Sequence, residues 1–486
     1  MRDRRLAWGL AGLFAATLAG CGGGDGSAGD PGAAGGAGSG GAVGAHEAPG
    51  RGLGQLSASG TTRWSNRLGG SLGDIGSAIS ADALGNVFVV GTFEGTADVG
   101  GVPMTSAGMQ DVFVAKFASD GTAAWVRHFG GAGIDLVSGV VVDTSGSVWF
   151  SGTSSAEIDL GGGVLGATGG AGIFVAKLDA FGNYLGARAF GGSAVGTSTV
   201  VALDAAGDLV LAGTYQTPID FGAGPLPAAV GTYDAYLAKI DPTGKVIFGE
   251  RLGGDGVDAM QSVAVAPDGD IVIAGAFTGT ADFGSGPMPS AGDLDMFVAR
   301  YDAAGKARWA KRFGGVTADI ARSVAVDGKG DVLFAGSFGD AIDVGGGKLH
   351  SAGSADGIVA KLSAKGFYVW GKSFGGIGRD EALSIAVDSA RHVLVAGFFE
   401  NAMTIGATPF QSAGDRDAFA LKLGSGGDML FAKHFGAKED DEASAIGADG
   451  FGRVLVTGYF RTDVDFGAGS HTSAGGNDVF LATFEP

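Results

Sequence analysis

Residues 313–336 read FGGVTADIARSVAVDGKGDVLFAG, and this unit recurs along the chain with the same glycines, aspartates and apolar alternation. Its apolar residues alternate with period two on both sides of a glycine-containing turn at residues 327–330, which predicts two short antiparallel β-strands. Residues 357–362 and 367–374 carry the same alternation and predict a third and a fourth strand. No amphipathic pattern of helical length appears, so the sequence predicts an all-β protein.

The repeat has a regular period. A phenylalanine or leucine precedes a Gly-Gly or Gly-Ala pair at intervals of 61 or 62 residues, at Leu68, Phe129, Phe190, Leu252, Phe313, Phe374 and Phe435. Four antiparallel strands per copy, repeated radially, make a β-propeller blade. The sequence therefore predicts a single seven-bladed β-propeller of four-stranded antiparallel blades over residues 56–486. An open solenoid is the alternative, and it would leave both terminal faces uncapped.

The two ends of the repeat region predict how the ring closes. The last copy ends with its third strand at Phe484, and residues 56–68 (LSASGTTRWSNRL) align with a fourth strand at the other end of the repeat region. Pairing of this N-terminal strand into the last blade would complete the seventh blade and leave no open blade edge. We therefore expect a closed ring.

The repeat resembles a known family. The strings GDIGSAISADALGNVFVVGTF (residues 73–93) and DEALSIAVDSARHVLVAGFF (residues 380–399) are similar to the bacterial SBBP β-propeller repeat, with a core of roughly "D…AVD..GN.YV.G". The resemblance implies a propeller and no particular reaction. Two copies depart from it, at Arg391-His392 in place of Gly-Asn and at Ala266 in place of aspartate.

The N-terminus reads as an export signal. Arg2, Arg4 and Arg5 precede an apolar run at residues 6–18, too short for a stable membrane span. Leu18-Ala19-Gly20-Cys21 resembles the bacterial lipobox, which implies that residues 1–20 are a lipoprotein signal peptide and that Cys21 is acylated. Cys21 is the chain's only cysteine. Gly22 follows it, which by the same resemblance favours the outer membrane. An ordinary secreted protein is the alternative.

Residues 21–55 are rich in glycine and have almost no apolar bulk, so we expect a flexible tether between the lipid and the propeller. The net charge of −19 argues against binding to nucleic acid or to anionic lipid surfaces, which would repel the chain. We expect contact with the membrane through the lipid anchor only, and a monomer.

Aspartates recur at fixed positions after each anchor. Those expected in the links between blades, near the central channel, form a candidate acidic ring: Asp74, Asp135, Asp258, Asp319, Asp380 and Asp441. A second set, in the long glycine-rich loop on the same face, comprises Asp98, Asp159, Asp220, Asp282, Asp343 and Asp465. Two further sets fall in the turn between the first and second strands (Asp82, Asp143, Asp204, Asp327, Asp388, Asp449) and at the third strand (Asp111, Asp234, Asp295, Asp356, Asp417, Asp478).

Two readings of these carboxylates remain open. In one, each aspartate caps backbone amides of its own loop and joins neighbouring blades. In the other, the candidate acidic ring forms an acidic mouth that binds Ca²⁺ or a cationic partner. No copy shows a D-x-D-x-D-G run, so no cofactor is expected beyond a possible Ca²⁺ ion. Whether a metal is bound stays open.

Basic residues also repeat. We expect those of the third strand (Lys116, Lys177, Lys239, Arg300, Lys361, Lys422) and of the fourth (Arg127, Arg188, Lys311, Lys372, Lys433) to lie near outer blade edges, where charge discourages edge-to-edge aggregation.

Catalytic motifs are nearly absent, and no catalytic residue is assigned. Residues 69–73 match G-x-S-x-G by chance, because they lie in an inter-blade loop and not at a strand-to-helix turn. The sequence favours a non-enzymatic binding or scaffold module whose acidic, glycine-rich loop face meets an envelope protein, a glycan or a cation. Stretches such as DAAGKARW (residues 302–309) resemble quinoprotein-type propeller motifs, which implies a scaffold for envelope assembly. The alternative is a propeller-type hydrolase or lyase acting on extracellular polysaccharide.

Overall fold

A computed structural model describes residues 60–166, 172–191, 199–406 and 408–486, and within these ranges the protein is all-β with no helix. The strands form seven four-stranded antiparallel blades, numbered here by the chain order of their first strands. The first strands of blades 1 to 7 are Ile75–Ala81, Asp135–Val142, Thr199–Leu203, Asp258–Val265, Asp319–Val326, Asp380–Val387 and Glu442–Ala448. The predicted fold class is confirmed.

The other strands follow in the same order. The second strands are Val87–Phe93, Val148–Ser154, Leu209–Tyr215, Ile271–Phe277, Val332–Phe338, Val393–Ile405 and Val454–Phe460. The third strands are Asp111–Phe117, Gly172–Leu178, Asp234–Ile240, Asp295–Tyr301, Asp356–Leu362, Thr408–Leu423 and Asp478–Phe484. The fourth strands are Ala123–Phe129, Tyr184–Phe190, Val246–Gly254, Ala307–Phe313, Tyr368–Phe374, Met429–Phe435 and, for blade 7, Thr62–Gly70.

The ring is closed by the strand from the N-terminal side. Thr62–Gly70 pairs antiparallel with Asp478–Phe484, with Arg67 opposite Phe480 and Leu68 opposite Val479. The first strand of every blade contacts the first strands of both neighbouring blades, and this includes blades 7 and 1. The first strands therefore form the innermost layer of a continuous ring, and no blade of the described chain is left with three strands.

The core lies between blades. Each buried cluster joins two consecutive blades; one of them combines Val479 and Leu481 of blade 7 with Val89 and Phe113 of blade 1. Both faces of the second and third strands are covered, so most of their residues are apolar; the exceptions include the aspartate and the basic residue of the third strand. Burial of this apolar surface on both faces of each sheet is the main stabilising contribution.

One glycine of the repeat has a steric reason. A Cβ on Gly336, in the second strand of blade 5, would lie 1.9 Å from the carbonyl oxygen of Ile320 in the first strand. The first strand carries a bulge between Ala321 and Ser323 that brings its backbone close at this point. Glycine is therefore required where the two innermost strands approach.

The connector between the second and third strands contains a hairpin that the alternation pattern did not predict. The hairpin strands are Thr96–Val99 with Val102–Thr105, Ile158–Asp159 with Val164–Leu165, Thr280–Asp282 with Pro287–Pro289, Ala341–Asp343 with Lys348–His350, and Asp463–Asp465 with Ser470–Thr472. In blade 6 the long second and third strands extend into the same hairpin. These segments are short and rich in glycine, so their periodicity is too weak to read.

The predicted signal peptide, Cys21 and the tether lie outside the described residues. Among the described residues, no helix is long and apolar enough to cross a membrane.

Candidate functional site

The six aspartates of the candidate acidic ring lie at the start of the first strands, and their side chains are buried with at most 1% exposure. Each accepts a hydrogen bond from the backbone amide four residues earlier. The donors are the amides of Gly70, Gly131, Gly254, Gly315, Gly376 and Ala437, at 2.7 or 2.8 Å. These carboxylates hold the inter-blade loop in place, so they do not form a solvent-exposed acidic mouth.

A second carboxylate stands near each of them. It belongs to the third strand of the preceding blade and is also buried, as in the pair Asp295 and Asp319. Burial raises the pKa of Asp74, Asp258, Asp319, Asp380 and Asp441 to about 7 and that of Asp135 to about 6; the amide hydrogen bond opposes the shift and the neighbouring carboxylate adds to it. One carboxyl group of such a pair therefore holds a proton near neutral pH.

The aspartates of the second set, in the glycine-rich loop, are exposed and accept hydrogen bonds from amides of their own loop. Asp343 accepts hydrogen bonds from the amides of Gly345 and Gly347, at 2.7 and 3.2 Å, inside its own hairpin turn. The same pair of hydrogen bonds, from the amides two and four residues later, is made to Asp159, Asp220, Asp282 and Asp465. Asp98 accepts one hydrogen bond, from the amide of Gly101. The backbone also links this loop to the preceding blade: β-bridges join Gly69 to Asp98, Gly130 to Asp159 and Gly253 to Asp282. This set shapes the hairpins on the connector face.

The third-strand basic residues are not at outer edges, and the expectation that they act there against aggregation is wrong. The third strand is flanked on both sides, and its basic side chain turns to the aspartate of the first turn. Lys361 Nζ lies 2.7 Å from Asp327 Oδ2, and Lys116, Lys177, Lys239 and Lys422 make the equivalent ion pairs with Asp82, Asp143, Asp204 and Asp388. In blade 4, where Ala266 replaces the aspartate, Arg300 pairs with Asp268 and Asp270 instead.

Blades 5, 6 and 7 carry a charged cluster that breaks the repeat. Glu381, in the first strand of blade 6, is 2% exposed and lies between two guanidinium groups. Arg322 of blade 5 donates to its Oε2 at 3.1 Å, and Arg379 donates to its Oε1 at 2.7 Å. Burial alone would raise the pKa of Glu381, but Arg322 and Arg379 outweigh it and the pKa is lowered. Glu381 is therefore an ionised, fully engaged carboxylate.

The equivalent glutamate of blade 7 has a different environment. Glu442 is 7% exposed, and its Oε2 lies 3.4 Å from the Tyr459 hydroxyl and 3.9 Å from Arg416 Nη1. Arg416 is engaged instead by Asp440, which accepts from its Nε and Nη2 at 3.0 and 2.9 Å. Burial outweighs the attraction of Arg416 and raises the pKa of Glu442. Two neighbouring glutamates thus have pKa values that move in opposite directions.

An open polar cleft of about 470 Å³ lies over this cluster, between the connector of blade 6 and the links that lead into the first strands of blades 6 and 7. Its lining comprises Arg379, Glu400, Asn401, Gly414, Asp415, Arg416 and Asp440. Phe398 lies beneath it, with the guanidinium carbons of Arg379 and Arg416 at 5.7 and 4.9 Å from its ring centroid. We call this the blade 6–7 cleft; it offers fixed donors and acceptors to a polar ligand.

Sequence reasoning missed this cluster because it followed what the copies share. The residue after the candidate ring aspartate is Ile75, Leu136, Ala259 and Ile320 in four other copies, but Glu381 and Glu442 in copies 6 and 7. A glutamate in place of an apolar residue at an innermost-strand position was the available signal. Among the described residues, no group of three or more His, Cys, Asp or Glu side chains is arranged to hold a metal ion.

Comparison with known proteins gives short matches. No protein-family model matches the chain. The regulatory protein FlaEY of Caulobacter vibrioides is 30% identical over 229 residues, which are 44% of this chain and 23% of that protein. An uncharacterized WD repeat-containing protein of Acanthamoeba polyphaga mimivirus is 26% identical over 160 residues, 29% of this chain and 11% of that protein. The chain spans less than a quarter of the length of these curated relatives.

Similar solved structures cover more of this chain, but their sequence identity to it is lower. The WD40 β-propeller domain of Doa1 is 10% identical, with a TM-score of 0.45, over 87% of this chain and 96% of that one. An ulvan lyase of a polysaccharide lyase family is 10% identical, with a TM-score of 0.38, over 88% of this chain and 97% of that one. Both TM-scores are low, so the blade count and ring closure rest on this chain's own hydrogen bonds: it is a closed seven-bladed β-propeller.

Proposed function

We propose that this chain is a lipid-anchored cell-envelope β-propeller that acts as a non-enzymatic binding or scaffold module through its connector face. The observation that carries the proposal is the blade 6–7 cleft. The repeated aspartates are engaged by backbone amides and serve the architecture, as Asp319 and Asp343 illustrate. The cleft has charged residues beyond those that the blade requires, and they occur in two neighbouring blades.

The chemistry of the cleft favours a polar partner rich in hydroxyl or amide groups. Asp415 is exposed and Glu400 is half-buried, so both offer acceptors, and the Arg379 side chain keeps 38% of its surface exposed. Arg416 is already held by Asp440, so it is a fixed wall of the cleft and not a mobile cation. A glycan or a polar segment of an envelope protein matches this mixture of donors and acceptors better than an apolar ligand does.

Binding measurements with matched variants test the proposal. We expect Glu400→Ala and Arg379→Ala to weaken binding of purified envelope polysaccharide or envelope protein at least about tenfold in calorimetry, since each removes hydrogen bonds to a charged group. Glu94→Ala is the control, because Glu94 holds the equivalent position in blade 1, where its backbone amide reaches Asp74 as that of Glu400 reaches Asp380. Equal binding by all three variants and the unmodified chain would reject the cleft as the binding surface.

The anchor and location are part of the same proposal. The basic residues and apolar run of residues 1–20 and the lipobox-like Leu18–Cys21 stretch support export and acylation of Cys21, with the outer membrane favoured by Gly22. The tether of residues 21–55 would hold the connector face away from the bilayer.

A second candidate function, a hydrolase or lyase acting on extracellular polysaccharide, has one observation in its favour. Glu381 and Glu442 have pKa values shifted in opposite directions, as in many acid–base pairs. Against it, both oxygens of Glu381 are held by arginines, and neither glutamate is more than 7% exposed. If the unmodified chain releases reducing ends or unsaturated sugars from polysaccharide and Glu442→Gln does not, catalysis replaces binding as the function.

Calcium remains a proposed ligand of the acidic connector face. Asp135 Oδ1 and Asp258 Oδ1 are buried and have no hydrogen-bond partner among the described residues. Titration of the chain with excess Ca²⁺ tests the idea: heat of binding together with a higher thermal midpoint would support it, and neither signal would end it.

A further inference from the structure

At six of the seven junctions between blades, an aromatic ring from one blade packs against the next blade. The ring comes from the fourth strand of the first blade. It lies on a glycine of the next blade's outer turn, the turn between its third and fourth strands (in blade 7, the segment before the fourth strand), so close that a methyl group on that glycine would be 2.7–3.1 Å from the ring. The ring–glycine pairs are Trp64 with Gly121, Trp125 with Gly182, Phe248 with Gly305, Trp309 with Gly366, Trp370 with Gly427 and Phe431 with Gly60. These glycines all have positive φ.

The four tryptophans also make a hydrogen bond across the junction. Their indole Nε1 donates to the carbonyl of the second residue of the next blade's outer turn, at 3.0 or 3.1 Å; the acceptors are Ser119, Ala180, Ala364 and Ser425. A buried aromatic ring with a satisfied polar end is a favourable inter-blade contact. The fold therefore contains four copies of a site shaped for an indole.

The junction between blades 2 and 3 has the same site without its ring. Gly186 stands at the tryptophan position, and a Cβ there would meet no atom within 4 Å. A cavity of about 270 Å³ opens at this point, lined by Trp149, Leu209, Ile240, Pro242 and Gly244 among others. A buried apolar cavity of about 150 Å³ is large enough for a benzene ring, so this one has room for an indole.

The walls of the cavity match those around a resident tryptophan. Pro242 is the second residue of the outer turn Asp241-Pro242-Thr243-Gly244, and Gly244 has φ +88°. Phe88 meets Trp125 edge-on at 6.1 Å, and Trp149 holds the Phe88 position in blade 2. The Arg127 guanidinium lies 5.8 Å from the Trp125 ring centroid. Arg188 holds that position at the cavity, where it donates to the Gly244 carbonyl and lies 3.4 Å from the place a Cβ on Gly244 would take.

We propose that this cavity is a binding site for the indole ring of a tryptophan side chain presented by a partner polypeptide. The bound ring would displace the exposed Arg188 guanidinium from Gly244, lie on that glycine, donate its N–H to the carbonyl of Pro242 and present its face to the displaced guanidinium. Trp64, Trp125, Trp149, Trp309 and Trp370 are built into blades, and the sixth tryptophan, Trp8, lies in the predicted signal peptide. Leu185, in the lining of the cavity, is 54% exposed and offers apolar contact to residues flanking the tryptophan.

This site is separate from the blade 6–7 cleft. It lies at the outer turns, on the face opposite the connectors, and shares no residue with the cleft. Its success or failure in experiment is therefore independent of the proposed connector-face function.

The test uses calorimetry of the full-length mature chain with N-acetyltryptophanamide, indole and 1-methylindole. We expect N-acetyltryptophanamide to bind with a Kd below about 1 mM. We expect 1-methylindole to bind about three- to tenfold more weakly than indole, because it has no N–H to donate to the Pro242 carbonyl. Gly186→Trp should fill the cavity and abolish binding of all three probes.

A matched variant makes the reverse change. Trp125→Gly opens the equivalent site between blades 1 and 2, and we expect it to gain one further binding site and to recover thermal stability when indole is added. Absence of binding to the unmodified chain, or binding that Gly186→Trp leaves unchanged, would overturn the proposal. If Gly186→Trp does not fold, the comparison of indole with 1-methylindole decides: equal affinity for the two would overturn the proposal. Tighter binding of free indole than of N-acetyltryptophanamide would overturn the assignment to a polypeptide.

Discussion

Lys361 and Asp327 form a buried ion pair within blade 5, with Nζ 2.7 Å from Oδ2 and side-chain exposures of 6% and 1%. The same Asp327 caps its own turn by accepting from the amides of Lys329 and Asp331. It therefore joins the first turn to the third strand. The lysine that carries the opposite charge belongs to the same repeat, so in blades 1, 2, 3, 5 and 6 a single repeat supplies both partners of the pair.

Removing the charge of Asp327 should be costly. We expect Asp327→Asn to lower the free energy of unfolding by about 2 kcal/mol, because Lys361 would keep only its longer ion pair with Asp331, at 3.3 Å. Chemical denaturation measures the change. Asp343→Asn is the control, since Asp343 is exposed and bonds only within its hairpin, and it should cost less than about 1 kcal/mol. Similar losses in both variants would contradict the importance of the buried pair.

Stability should fall as the pH rises from about 4 to about 7. Asp74, Asp258, Asp319, Asp380 and Asp441 have folded-state pKa values raised from 3.8 to about 7, so the folded protein holds more protons than the unfolded chain between these values. Their contribution is complete below pH 3.8 and is lost as the pH rises through 7. We expect a thermal midpoint several degrees higher at pH 5.5 than at pH 8.5.

At low pH the opposite effect should appear. The pKa values of Asp327 and Asp388 are lowered, because their lysine and backbone hydrogen bonds outweigh burial, so their contribution is lost as the pH falls below 3.8. Maximum stability should therefore lie near about pH 4. Asp319→Asn is the control: it should reduce the steepness of the fall between about pH 4 and 7 by at most about 1.4 kcal/mol per pH unit. A midpoint that rises from pH 5.5 to 8.5 would contradict this account.

Ring closure predicts the effect of a deletion. Loss of residues 62–70 would expose the Asp478–Phe484 strand as an unpaired edge and remove Trp64 and Leu68 from the core between blades 7 and 1. We expect a lower thermal midpoint and concentration-dependent aggregation, measured by scanning calorimetry and light scattering. A deletion confined to residues 30–40 of the tether is the control and should leave the midpoint unchanged. An unchanged midpoint in the larger deletion would argue against closure by this strand.

The proposed acylation of Cys21 predicts a change of location when this residue is replaced. We expect Cys21→Ser to abolish incorporation of labelled palmitate and to move the protein from the membrane to the soluble fraction. Gly22→Asp should keep the label, and by resemblance to lipoprotein sorting signals it should move the protein towards the inner membrane. Label retained in Cys21→Ser would show that another residue carries the lipid.

The architecture was readable from the sequence because it depends on local alternation and on repetition. Val332–Phe338 has the same pattern in every copy, so each repeat confirms the others, and blade count and closure follow. The hairpin Ala341–Asp343 with Lys348–His350 was not readable, since its three-residue strands show no period. The direction of Lys361 was misjudged for a related reason: the pattern shows that a residue lies on the third strand, but not which turn its long side chain reaches.

The candidate site was less predictable. Burial of Asp319 follows from packing between blades, and a sequence position cannot distinguish a buried capping carboxylate from an exposed one. The blade 6–7 cleft depends on Glu381 and Glu442, two departures from the repeat that matter because adjacent blades bring them together. Gly186 is a further departure, and its cavity exists because the neighbouring turn keeps the shape that receives tryptophan elsewhere.

The pairing of Thr62–Gly70 with Asp478–Phe484 also determines the order of folding. Arg63 and Glu485, which form an ion pair beside this strand pair, are 422 residues apart, so the last blade cannot be assembled until both segments are present together. Contacts of such long sequence separation form slowly, because a very long loop must first be closed. Six blades can form from neighbouring segments before the two distant segments of the last blade meet. During that interval the incomplete blade is the part of the molecule most exposed to proteases and to pairing with a second chain.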